Sequence, residues 1–120
     1  MRERVEATVR AYFDALDRYD VEATVACFAP GAELRCMSDE RVACGEEELR
    51  AFFHGVVDGS EEMLHAVTNL VVEPDGRRAA SEQDYDDRRS NGNRYVEKTC
   101  NFFELDAEAR ITALRFWRSG

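Results

Sequence analysis

VRAYFDALDRYDVEATVACFAPGAEL, residues 9–34, switches from a helical to a strand period within one stretch, and that switch decides the fold. Val9, Tyr12 and Leu16 continue a stripe begun by Val5 and ended by Tyr19, at steps of four and three, with Phe13 beside it. That spacing puts the apolar side chains on one face of an amphipathic helix over residues 3–19. Asp20 is a suitable cap for a second short helix, VEATVACF, which Pro30 and Gly31 should terminate. AELRC, 32–36, then alternates as a short strand does.

Beyond this stretch, MSDERVACG reads as a loop or a poorly paired hairpin. EEELRAFFHG, 46–55, has acids in its first turn and glycine after its apolar residues, the polarity of a helix in its own dipole field. From there the chain turns to strands, at about 62–73, 78–89, 94–105 and 109–118, separated by the turn sequences PDG, SNGN and DAEA. Three helices followed by a meander make an α+β order. A curved antiparallel sheet must then wrap one face around the helices to bury it.

The 120 residues suit one domain, 1–120, with a single core. Hydrophobic residues are 44% and charged residues 34%, the balance of a globular protein with a heavily solvated surface. The formal charge of −9 repels phosphate backbones and anionic membranes, so neither nucleic acid nor membrane is expected as a partner. MRERVEATVRAYF lacks the apolar run of a secretory signal, and a cytoplasmic protein is expected. Cys27, Cys36, Cys44 and Cys100 form no CxxC pair and have no histidine at zinc-ligand spacing; free thiols and no metal site are expected.

Alternation along HAVTNLVVEPDGRRAASEQ, 65–83, places His65, Val67, Asn69 and Val71 on one face of a strand. Polar residues there are tolerable if that face borders a cavity rather than a sealed core. Glu97, Thr99, Asn101 and Phe103 likewise share a face of the third long strand. In SEQDYDD one parity turns Asp84 inward and the other turns Asp87 and Tyr85 inward, and the sequence leaves both open.

In its order and spacing the chain resembles the nuclear transport factor 2-like superfamily, in particular its SnoaL-like branch. The resemblance rests on residues 9–34 for the helical hairpin and first strand, GEEELRAFF for the third helix, HAVTNLVVEPDGRRA for the first long hairpin and NFFELDAEARITALRFW for the last. It implies a cone-shaped α+β barrel enclosing a pocket, often in a homodimer packed through the outer face of the sheet. It does not imply one reaction, since the superfamily holds ketosteroid isomerase, scytalone dehydratase, limonene epoxide hydrolase, polyketide cyclases and non-catalytic members.

Residue by residue, Tyr12 matches the tyrosine with which ketosteroid isomerase donates a hydrogen bond to its substrate. Cys36 falls where that enzyme has its basic aspartate, and Asn101 where it has its protonated one; Asn101 can still donate to an oxyanion. Asp17 and His65 match an aspartate and a catalytic histidine of scytalone dehydratase. Such a pair would hold the imidazole in one tautomer, as proton abstraction near neutral pH requires. Cys36, Phe53, Asn69, Glu97, Thr99, Phe103, Leu114 and Phe116 are candidate wall residues for a small-molecule substrate, the face of Glu97, Thr99 and Phe103 being turned to the cavity by the same comparisons.

The leading expectation is a cofactor-independent lyase, isomerase or cyclase working by acid–base proton transfer, in the manner of secondary metabolism. His65, Asp17, Tyr12 and Asn101 are its candidate catalytic residues. The other expectation is a non-catalytic ligand-binding or association module of the same fold.

Overall fold

The computed structural model describes residues 1–120. Helix α1 (Arg2–Asp17) buries Val5, Val9, Tyr12, Phe13, Ala15 and Leu16, the stripe anticipated from the spacing. It ends where Tyr19 takes a positive φ of 60°. Asp20 then caps α2 (Val21–Val25), its Oδ1 accepting from the Ala23 amide at 3.0 Å.

This second helix is shorter than its sequence suggests. Strand β1 (Phe28–Cys36) begins before Pro30 and Gly31, which lie inside it at the break in register between Phe28 and Glu33. Proline and glycine here mark a strand irregularity rather than a helix stop. The polar segment that follows does form a hairpin: β2 (Arg41–Cys44) pairs antiparallel with β1.

Helix α3 (Gly45–Val57) carries Glu46, Glu47 and Glu48 in its first turn and His54 in its last, each on the favourable side of the helix dipole. The remaining chain forms β3 (Ser60–Val72), β4 (Arg78–Arg89), β5 (Arg94–Leu105) and β6 (Ile111–Arg118).

The six strands make one sheet in the order β2-β1-β6-β5-β4-β3. Two expectations need correcting. The sheet is mixed, because β1 pairs parallel with β6, aligning Leu34 with Leu114 and Cys36 with Phe116. It is also open: β2 and β3 are edges and do not pair with each other, so the helices cover a sheet rather than plug a closed barrel. The core between helices and sheet is dense. Leu34, Leu49, Phe53, Phe103, Ile111 and Leu114 are at most 1% exposed.

Register on β3 settles the question of faces. A shift between Val67 and Asn69 inserts an extra residue against β4. Met63, His65 and Val67 face the helices before the bulge, and Leu70 and Val72 after it. Asn69 is thereby turned to the outer face, where its amide donates to Glu82 Oε1 at 3.1 Å. It is not a pocket residue, contrary to the simple alternation. Since His65 pairs with Tyr85, the inward set on β4 is Ser81, Gln83, Tyr85 and Asp87, and Asp84 points out to Lys98. No helix is long and apolar enough to cross a membrane.

Candidate active site

Between α1, α3 and the inner face of the sheet lies a cavity of about 100 Å³. Its apolar wall includes Phe13, Leu16, Phe52, Phe53, Val56 and Phe116. Its polar side chains are Tyr12, His65, Tyr85, Thr99, Asn101, Arg41 and Arg118. Since roughly 150 Å³ is enough for benzene, the enclosed part takes a small molecule or one end of a larger one.

His65 is held from two directions. Its ring lies between Phe13 and Tyr85, with centroids 5.1 and 4.7 Å away. Asp17, the last residue of α1, takes hold of both its backbone and its ring. The His65 amide donates to Asp17 Oδ2 at 2.8 Å, and ring Nδ1 donates to Oδ1 at 2.6 Å. A carboxylate can only accept, so in the neutral ring the proton sits on Nδ1 and Nε2 keeps its lone pair. Nε2 has no protein partner. Both side chains are mostly buried, at 10% and 17% exposed, where such a pair is little screened by solvent.

Asn101 is positioned by a buried chain of amides and hydroxyls. Ser81 donates to the carbonyl oxygen of Gln83, and the Gln83 amide donates to Thr99 Oγ1 and to Asn101 Oδ1. With its carbonyl engaged, Asn101 has Nδ2 left over and gives it to no protein acceptor. Tyr12 packs edge-on against Phe13, Phe28, Phe53 and Phe103, and its hydroxyl also lacks a protein partner. Burial pushes the Tyr12 phenol far above its usual range. The cavity therefore holds one free ring nitrogen and two neutral donors.

Tyr85 belongs to a second cluster. Its hydroxyl donates to Asp87 Oδ2 at 2.8 Å. Asp87 also accepts from Ser60 at 2.7 Å and from Arg89 at 3.0 Å. Burial and the bond to Asp87 push the Tyr85 phenol well above its ordinary range.

Because the folded chain retains the Tyr12 and Tyr85 protons above pH ~10 and the unfolded chain does not, stability should fall as pH rises through that value. Absorbance titrations of the wild type and Tyr12→Phe at 295 nm should coincide up to unfolding. Extra ionisation in the folded wild type near pH ~10 would contradict the buried, protonated Tyr12.

Of the residues anticipated from sequence, Tyr12, Phe53, His65, Thr99, Asn101 and Phe116 line the cavity, and Asp17 reaches it through His65. Four more, besides Asn69, do not line it. Phe103 and Leu114 are sealed in the core, and Cys36 is fully buried in the sheet between Arg41 and Phe116. Glu97 faces inward one step too far along β5 and borders an adjoining groove, where its Oε2 has no partner. Gln83, Arg41 and Arg118 were not anticipated. Arg118 was legible, since Leu114, Phe116 and Arg118 alternate onto one face of β6. All four cysteines are free, and no three His, Cys, Asp or Glu side chains converge as metal ligands.

Helices packed on one face of a mixed sheet, around a cavity with a carboxylate-bound histidine, define a protein of the nuclear transport factor 2-like class. Within it, the sequence profile described as the SnoaL-like domain matches residues 9–114, and the chain belongs to that family. Among curated proteins no sequence matches.

Solved structures are similar in fold. A provisionally named polyketide cyclase from Xanthomonas campestris pv. campestris has a TM-score of 0.84 at 20% identity, over 97% of this chain and 90% of that one. SalBIII, an epoxide hydrolase/cyclase-like enzyme with a role in pyran ring formation in the polyether salinomycin, has a TM-score of 0.86 at 21% identity, over 98% and 92%. A protein of ketosteroid isomerase-like fold from Catenulispora acidiphila, solved with trimethylamine, has a TM-score of 0.81 at 14% identity, over 91% and 82%. At these identities the likeness is one of fold.

Proposed function

We propose that the protein is a cofactor-independent lyase, isomerase or cyclase that moves a proton on a small organic substrate held in the cavity. The observation that carries this reading is the double hydrogen bond from Asp17 to His65, which leaves Nε2 as a base beside an apolar space. In the proposed step, Nε2 takes a proton from a carbon next to a carbonyl. The carbonyl oxygen, gaining charge, receives hydrogen bonds from Tyr12 and Asn101 Nδ2. The imidazolium, stabilised by Asp17, then returns the proton to another carbon or to a departing hydroxyl.

Isomerisation follows from the first outcome and dehydration from the second; a ring closes if the carbanion instead attacks a second carbonyl carbon of the substrate, whose oxygen then takes the proton back from the imidazolium. The names of the similar structures, a polyketide cyclase and an epoxide hydrolase/cyclase-like enzyme, favour such chemistry on secondary metabolites. Free cysteines suit action in the reducing cytoplasm.

The test follows deuterium incorporation next to the carbonyl in a panel of small ketones and β-hydroxy ketones in D2O, by proton NMR. Wild type should accelerate exchange or dehydration of some members, and His65→Asn should not. Ligand binding with no difference between the two proteins would instead favour a binding module.

We further propose that the protein is a homodimer through the outer face of the sheet. That face exposes Leu64, Val96, Phe102 and Trp117 by 57%, 70%, 43% and 39%, with the Phe102 and Trp117 ring centroids 6.0 Å apart. Light scattering should give about twice the 13.7 kDa chain mass for wild type and a monomer for Phe102→Glu. A monomeric wild type at micromolar concentration would refute the dimer.

A further inference from the structure

The cavity opens toward two arginines. Arg41 on β2 and Arg118 on β6 border both the cavity and the larger groove outside it, which measures about 680 Å³. Both face inward, Arg41 opposite Cys36 and Arg118 opposite Thr99. Their shared counterion is Asp39, in the turn between β1 and β2. One oxygen of Asp39 accepts from Arg41 Nε at 2.7 Å and from Arg118 Nη2 at 3.2 Å.

Two guanidinium groups share one oxygen of one carboxylate, so neither has a full set of acceptors. Arg118 is the less satisfied of the pair: its Nε is buried and has no hydrogen-bond partner. Arg41 is braced by Phe52, whose ring centroid lies 5.0 Å from the guanidinium carbon. Glu97 borders the same groove but forms no ion pair with either, and its Oε2 is also unpartnered.

A guanidinium binds a carboxylate through two parallel N–H donors, and the unpartnered Nε of Arg118 supplies one of them. We propose that Arg118, supported by Arg41, binds the carboxylate of the substrate at the cavity mouth. The substrate class is then a small carboxylic acid whose apolar, reacting end projects inward to His65. This names the substrate class for the reading given above and rests on it for the reaction, but the binding contact stands on the arginines alone. Binding draws the Arg118 guanidinium into a fork on the ligand and gives Nε a partner.

The test is an amide-resolved NMR titration of the whole protein with isobutyrate and with isobutyramide, which share size and shape. Wild type should bind the carboxylate about 10-fold more tightly, as one charge-assisted contact provides. Arg118→Met should erase the preference, Arg118→Lys should keep part of it, and His65→Asn should leave it intact. Equal affinity for the two ligands in wild type, no binding of the carboxylate, or a preference that survives in both Arg118→Met and Arg41→Met would overturn the proposal. A preference that persists while His65→Asn leaves ketone exchange unchanged would remove the catalytic reading and keep the anion site.

Discussion

Replacing His65 with asparagine should lower protein-catalysed proton exchange by about 10²- to 10⁴-fold, the usual contribution of a positioned general base. Asparagine retains a polar group of similar size but has no lone pair on nitrogen to take a proton. Asp17→Asn should cost a comparable amount by a different route. A carboxamide at Asp17 can offer N–H to the ring and so favour the tautomer with its proton on Nε2, the atom that has to be free. It also removes the negative charge that stabilises the imidazolium. If Asp17→Asn keeps activity within a factor of about two while His65→Asn abolishes it, Asp17 does not orient the base.

Asp87→Ala should be the most damaging substitution for stability among the polar residues around the cavity. The side chain is 4% exposed and satisfies Ser60, Tyr85 and the guanidinium of Arg89 together. Removing it takes the acceptor from the half-buried Tyr85 phenol and the counterion from Arg89, which is left with only the carbonyls of Val56 and Asp58. Breaking such a buried pair costs about 3–5 kcal/mol, which for a chain of this size lowers Tm by roughly 10–20 °C. Asp87→Asn, which keeps one carbonyl acceptor, should lose less. Thermal unfolding checks both, and a loss below ~1 kcal/mol for Asp87→Ala would mean that water replaces the carboxylate without penalty.

The sequence was informative where structure is local. The stripe from Val5 to Leu16 has a helical period that few other arrangements satisfy, and Asp20 had a capping role that needs only its own neighbours. Strands β4 and β5 fell at 78–89 and 94–105 because the turns between them carry their own glycine and asparagine signals. Long-range features were not legible. Parallel pairing of β1 with β6 joins distant parts of the chain, and whether the sheet closes depends on its two edges meeting.

The site was legible in part for the same reason. His65 and Asp17 stand 48 positions apart, and only the family resemblance drew them together before the fold did. The bulge between Val67 and Asn69 has no glycine or proline to mark it, and it reverses every face beyond it, which misplaced Asn69. Gln83 gave no signal because a buried amide is revealed only by its partners, here Ser81 on its own strand and Thr99 and Asn101 on the next.

The central claim is that Asp17 keeps the His65 proton on Nδ1 and presents Nε2 to the cavity. Nitrogen-15 NMR of the imidazole, at a pH where the ring is neutral, measures this directly. Long-range couplings from the ring carbon-bound protons should identify Nδ1 as the protonated nitrogen in wild type and show a shift of the proton toward Nε2 in Asp17→Asn. A wild-type ring protonated on Nε2, or one whose tautomer does not respond to Asp17→Asn, would contradict the account.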